Sequence, residues 1–352
     1  MNGIFEADST GWFDAGDGTK LFLRRWIPEA PKAVLHIVHG MAEHSLRYGR
    51  LARQLNENGV EVWAADQRGH GKTADTGVND PAKGGILGHC ADEDGFSRVT
   101  ADIDLINRKI REERPGLSLF LLGHSWGSFI VQNYLETFAA GNAAHTENAA
   151  GAGSTADAGN AARAENAAGR GRIIDGCILS GTRGPGGFKI RAGVPFMAFL
   201  AFVLGKRRPS PLARIAVDGS CNRPFRPNRT SFDWLSRDEN EVDAYVNDPA
   251  CGNLCSAGFY RDLASGLKRI HNPANMEKID RDLPVYIFSG SADPVGDMGV
   301  STTVLVTVYR SMGMKDLEFV LYPDARHETF NETNREEVTE NLVAWMLKHC
   351  EN

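Results

Sequence analysis

The sequence predicts an α/β protein with a mostly parallel sheet, helices on both faces and an inserted helical cap. Three observations predict it. Short runs of Val, Ile, Leu and Phe recur along the chain, helical patterns separate most of them, and Gly, Asp or His stands where each run ends. A strand covered on both faces has no solvent side on which to place polar residues, so an unbroken apolar run marks a sheet sandwiched between helices.

Gly11-Trp12-Phe13-Asp14 and Lys20 to Trp26 flank Asp17-Gly18 and read as an antiparallel hairpin that opens the sheet. Further strands are expected at 33–38, 60–64, 117–122, 174–179, 283–288 and 317–321. Between them, Leu51-Ala52-Arg53-Gln54-Leu55 and the long stretch 99–111 carry helical spacing. Two segments break the alternation. Residues 139–171 are almost wholly Ala, Gly, Asn, Glu and Thr, and GNAAHTENAAGAG at 141–153 returns as GNAARAENAAGRG at 159–171. Without large apolar side chains this repeat cannot offset its ordering entropy, so a disordered or loosely helical loop is expected.

The second break, residues 185–272, is too long for a crossover and reads as a cap inserted into a core made of 1–184 and 273–352. Within it Val194 to Gly205 is apolar nearly all round and ends at Lys206-Arg207-Arg208. Twelve residues cannot span a bilayer core of about 30 Å. They suit a helix packed on the domain beneath, an apolar wall of a lipid-sized pocket, or an interfacial foot giving transient membrane contact.

Composition narrows the function classes. Of 352 residues, 42% are hydrophobic and 24% charged, an ordinary soluble globular mix. The net charge of -6, with no long basic block, argues against nucleic acid as a partner. The first residues lack the basic and apolar stretches of an export signal, so a cytoplasmic location is expected. Six scattered cysteines complete no zinc-site spacing and read as buried or idle thiols; no metal is expected.

The chemistry centres on Gly123-His124-Ser125-Trp126-Gly127, which follows an apolar strand and precedes a helical pattern. A serine hydroxyl attacks a carbonyl only if it stands clear of the backbone, and a sharp strand-to-helix turn achieves this at the cost of crowding its neighbours. Glycines two before and two after relieve that crowding. Ser125 is therefore the candidate nucleophile. Its base and acid are expected downstream, acid first. Four histidines follow: His145 in the repeat, His271 at the cap's exit, His349 in the terminal helix, and His327, which alone lies just past a strand where a loop can lean over the sheet. For the acid, Asp293 lies in the turn after the preceding strand. Asp282 precedes that strand and faces the wrong end, while Asp297, four residues further out, remains an alternative. An oxyanion needs two amides; Trp126 N–H lies beside the nucleophile, and Gly40 lets Met41 N–H point inward after an earlier strand.

Together, Val38-His39-Gly40-Met41-Ala42-Glu43-His44-Ser45-Leu46-Arg47-Tyr48, Asp66-Gln67-Arg68-Gly69-His70-Gly71, Gly123 to Gly127, Gly290-Ser291-Ala292-Asp293 and Ala325-Arg326-His327-Glu328 resemble the monoacylglycerol lipase and lysophospholipase-like α/β-hydrolases of the serine aminopeptidase S33 type. The resemblance implies an α/β-hydrolase fold and hydrolysis of esters with one fatty acyl chain by Ser125, His327 and Asp293, without a cofactor. It also implies that Glu43 and Arg47 lie near the polar head of the substrate, although a salt bridge steadying their loop fits them equally. Where these lipases carry a second histidine three residues after the catalytic one, this chain has Phe330, which sets glycerol recognition apart. Arg68 to Gly71 reads as structural. A small-substrate carboxylesterase, thioesterase or aminopeptidase could use the same groups. A catalytically inert binding protein would not need them all.

Overall fold

The structure, a computed structural model, describes residues 5–138, 172–217 and 219–350. The repeat at 139–171, with His145, lies outside these. Eight strands form one sheet in the order β1-β2-β4-β3-β5-β6-β7-β8: β1 (Ser9–Asp14), β2 (Lys20–Trp26), β3 (Ala33–Val38), β4 (Val60–Asp66), β5 (Ser118–His124), β6 (Gly176–Ser180), β7 (Val285–Gly290) and β8 (Leu317–Tyr322). β1 pairs with β2 and β2 with β4 antiparallel; every other pairing is parallel. This is the α/β-hydrolase fold, and all eight strands fall where the apolar runs predict them.

Residues of β3, β4, β5, β6 and β7 are buried along their whole length apart from Ser118 at the start of β5. Alternate residues feed different layers. Val34 and Val38 pack with Phe96, Val99 and Ile103 of α2 (Gly95–Glu113) and Phe129 to Val131 of α3 (Trp126–Thr137). Leu35 and Ile37 pack with Leu51 and Leu55 of α1 (Gly49–Glu57) on the other face. Burying a residue of this kind is worth about 1.5–3 kcal/mol, so the run that signals the strand also anchors it.

The parallel register sets the site. Val38 lies beside Gly123, His124 beside Ser180, Ser180 beside Phe288, and Gly290 beside Tyr322. The carboxyl ends of β3, β5, β6, β7 and β8 thus share one edge, and the loops leaving them meet above it.

Between β6 and β7 the chain runs through α4 (Gly187–Leu204), α5 (Pro211–Val217), α6 (Glu239–Asn247) and α7 (Ala257–Ile270). Ser256 caps α7 by accepting from Phe259 N–H at 3.1 Å. α7 packs on α2, α3 and α4, so close to α2 that a Cβ on Gly266 would lie 2.2 Å from the Phe96 ring. The expected twelve-residue apolar helix is the second part of the longer α4, which carries Pro195 inside it. Met197, Leu200 and Ala201 share one stripe and are buried, while Phe196, Phe199, Phe202, Val203 and Leu204 face solvent, Phe202 at 87%. Among the described residues no helix is long and apolar enough to cross a membrane.

Candidate active site

β5 ends at His124, and the next residue turns the chain into α3. Ser125 has φ +53° and ψ −121°, a backbone conformation that costs an L-residue on the order of 1–3 kcal/mol. The neighbours show why only glycine fits beside it. A Cβ on Gly123 would lie 2.5 Å from Gly127 O, and one on Gly127 would lie 2.1 Å from Val38 O of the adjacent strand. Ser125 N–H donates to Ser180 O at 2.9 Å, which pins the turn to β6.

Along the same edge of the sheet, in the loops after β7 and β8, His327 Nδ1 is 2.9 Å from Asp293 Oδ1, both side chains almost wholly buried. Gly290 allows the two loops this contact, since a Cβ there would lie 1.9 Å from Ala325 O. Asp293 Oδ1 also accepts from Val295 N–H, and Oδ2 from Ser289 Oγ–H. Burial alone would raise the pKa of Asp293, but His327 and these hydrogen bonds outweigh it and hold the carboxyl below its ordinary value. Burial works to lower the pKa of His327; Asp293 first, then Glu328 and Glu43, raise it above the usual histidine value. Neighbouring His124, its ring 4.8 Å away, is pushed down to about 4 by burial and by His327, and so stays neutral.

Ser125 and His327 line the same pocket. Among the described residues Ser125 enters hydrogen bonds through its backbone alone, so Oγ is not bonded to the imidazole, a contact that commonly tightens only around bound substrate. The rivals lie elsewhere. Asp282 is exposed beside Lys315, and His349 binds Asp316 and Trp345 O. His271 sits at the end of α7, and Asp297 contributes its backbone to the turn before Val300.

The amides of Met41 and Trp126 have no partner among the described residues. Unpaired amides this close to a protein interior are rare, and these flank the nucleophile: a Cβ on Gly40 would lie 3.3 Å from Ser125 Cβ. Gln67 holds the two loops together. Its N–H donates to His39 Nε2 and its Nε2 to His39 O, while its Oε1 accepts from the Trp126 indole. His70 is buried with Nδ1 on Arg68 O, and Arg68 forks onto Asp102 and Asp17; both brace the scaffold, as expected.

Glu43 lines the pocket while Arg47 is not among its lining residues, and both are occupied. Arg47 Nη1 binds Glu43 Oε2, and both its Nη atoms bind Glu328, all at 2.7 Å. Phe330 packs edge-on against Phe288 and is not among the pocket-lining residues. The roof of the pocket comes from Phe232, Trp234, Leu235, Tyr245 and Tyr260. No described side chain of α4 lines it, contrary to the expected apolar wall: α4 packs on α7, with Met197, Leu200 and Ala201 buried, and Phe196, Phe199, Phe202, Val203 and Leu204 point outward. Sequence reasoning missed these aromatic residues as well as His124, Gln67 and Glu328. The last three stand inside the quoted motifs, where adjacency to a catalytic position was the available signal.

The serine aminopeptidase S33 family profile matches residues 29–152 and 158–334, most of the chain. This protein is a member of that family. The S33 member described here is 26% identical over 338 residues to a monoacylglycerol lipase of Mycolicibacterium smegmatis, covering 94% of each chain. It is 27% identical over 291 residues to human monoglyceride lipase, covering 80% of this chain and 72% of the human one. Its fold is shared with a carboxyl esterase from Bacillus coagulans (TM-score 0.79, 24% identity, 98% and 99% covered). A soluble variant of monoglyceride lipase from Saccharomyces cerevisiae is also similar (TM-score 0.68, 20% identity, 99% and 97% covered). Family and relatives together make this chain a serine ester hydrolase.

Proposed function

We propose that this enzyme hydrolyses carboxylic esters of a single acyl chain, of the monoacylglycerol or lysophospholipid type, through an acyl-enzyme on Ser125. One observation carries the reading: His327, paired with buried Asp293, shares a pocket with a serine on a strained turn, beside two amides unpartnered among the described residues. His327 takes the Ser125 proton as Oγ attacks the ester carbonyl, and the oxyanion is received by Met41 and Trp126 N–H. The imidazolium then protonates the leaving alcohol. Water repeats both steps on the acyl-enzyme. Asp293 holds Nδ1–H, so that Nε2 is the atom free to accept, and stabilises the cation.

Apolar and aromatic walls from the cap suit an acyl chain, and the outward Phe196, Phe199 and Phe202 suit transient contact with the lipid surface where such a substrate resides. The engaged Arg47 and the absent second histidine favour, as a second reading, a less headgroup-specific carboxylesterase. Purified protein should hydrolyse p-nitrophenyl acyl esters, and Ser125→Ala should lose that activity by on the order of 10⁴- to 10⁶-fold with unchanged circular dichroism. Turnover retained in Ser125→Ala would overturn the mechanism. A preference for acetyl over decanoyl esters would select the second reading.

A further inference from the structure

We infer that Glu328 is a positioning residue for catalysis: its fork onto Arg47 locks the oxyanion loop (residues 39–48) to the histidine loop (residues 323–332). The inference rests on the triad reading above and adds to it a residue that the triad does not contain.

The lock is a continuous chain of charge-assisted contacts. Glu43 Oε1 accepts from Gly40 N–H at 2.5 Å and from Tyr48 Oη–H at 2.9 Å, which fixes the turn that presents Met41 N–H. Its other oxygen binds Arg47. Arg47 passes both Nη atoms to the two oxygens of Glu328, the residue directly after His327. Asn331 Nδ2–H donates to Glu328 Oε2 at 2.9 Å, and Glu328 N–H donates to Leu235 O at 2.7 Å, so the acid is itself held from two sides. Glu43 and Glu328 are buried and Arg47 nearly so, at 4%, 6% and 11% side-chain exposure.

Burying three charges is a poor way to gain stability, because desolvation offsets most of the attraction. It is a good way to gain geometry. A guanidinium fork on a carboxylate fixes distance and plane together, which a lysine cannot do. Two loops far apart in sequence must converge on one carbonyl here, and a displacement of about 1 Å between them costs on the order of 10²-fold in rate.

The lock also carries charge. Two carboxylates on one guanidinium leave one net negative charge beside His327, whose imidazolium forms in the transition state. The groups that face His327 are Asp293 from the β7 loop, neutral His124 from β5, and Glu43 and Glu328 from the lock; Arg183, beyond Asp293, faces that carboxylate. Removing Glu328's charge lowers the basicity of His327. Removing Arg47's charge raises it.

The test is the pH dependence of kcat and KM for p-nitrophenyl butyrate with the full chain. Glu328→Gln should lower kcat by about tenfold or more with KM nearly unchanged, and should move the acid limb of kcat/KM to lower pH. Arg47→Gln should move that limb to higher pH. Arg47→Lys, which keeps the charge and loses the fork, should lower kcat and leave the limb in place. The double variant Arg47→Gln, Glu328→Gln should bring the limb back toward wild type. Should Glu328→Gln not fold by circular dichroism, Arg47→Lys and Glu328→Asp carry the same split between geometry and charge. The inference is overturned if kcat stays within about twofold in these variants, or if the loss lies in KM alone. A wild type that neither hydrolyses the ester nor is labelled on Ser125 by a fluorophosphonate defeats the triad reading and this inference with it. A wild type that does both, with unaffected variants, defeats the lock only.

Discussion

The floor of the pocket and its roof are held in place by different means. At the floor, glycines at 123, 127 and 290 leave backbone atoms so close that a single added carbon would meet a carbonyl at 1.9–2.5 Å. Ser125 is positioned by the sheet itself, through Ser180 O of the next strand. The roof is a set of side chains: Phe232 and Trp234 pack against the cluster of Leu235, Tyr245 and Cys251, with the Phe232 and Tyr245 rings 5.0 Å apart, and Tyr260 lines the pocket from α7. A backbone-defined floor admits almost no substitution, whereas a roof of this kind can be resized. Under the proposed function, reaction type is therefore a property of the floor, and acyl-chain selection a property of the roof.

That contrast can be broken or sharpened by experiment. Beyond Ser125→Ala, the largest effect is expected at Asp293, the proposed acid. Asp293→Asn should lower kcat by about 10⁴-fold, since the imidazole then presents the wrong tautomer. Because Asp293 is the first group raising the pKa of His327, the residual activity should show its acid limb at lower pH than wild type, where the limb lies above the usual histidine value. An unmoved limb would argue that another base serves Ser125. Next comes Gly127→Ala. With 2.1 Å between the new carbon and Val38 O, the elbow must shift, and a loss of about 1–3 kcal/mol in urea unfolding should accompany loss of labelling by a fluorophosphonate. A stable, fully labelled variant would contradict the crowding argument.

At the roof, Trp234→Phe should leave unfolding within about 1.5 kcal/mol and change the acyl-length profile more than the rate on acetyl esters; equal effects on all chain lengths would move this side chain from roof to floor. The smallest effect is expected outside the pocket. Phe202, at 87% exposure, can become Asp with stability unchanged within about 0.5 kcal/mol and with soluble esters turned over as before, while sedimentation with phosphatidylcholine vesicles weakens. Undiminished vesicle binding would remove the lipid-facing role proposed for α4.

Much of this could be read from the chain because it is encoded locally. The central strands β3 to β7 announce themselves by apolar runs, since each is buried on both faces, and the opening hairpin by its Asp17-Gly18 turn. The elbow is legible because strain at Ser125 forces glycines at fixed offsets, and His327 and Asp293 because strand ends and parallel topology leave few candidates at the right edge. The direction of α4 was not legible. Its residues are apolar nearly all round, so no periodicity distinguishes the side that meets α7 from the side that meets solvent. The same holds for Glu43 and Arg47, whose types suit a substrate headgroup and an internal lock alike.

By itself the sequence determined the sheet, the glycine-flanked elbow and the places of the proposed nucleophile, acid and base along the chain, because each follows from a constraint spanning a few neighbouring residues. Only the tertiary structure decided what Arg47 holds, where α4 turns its aromatic face and which side chains roof the serine. Those outcomes depend on residues up to 281 positions apart meeting in space, as Arg47 and Glu328 do, and a pairing at that range leaves no periodicity in the chain to read.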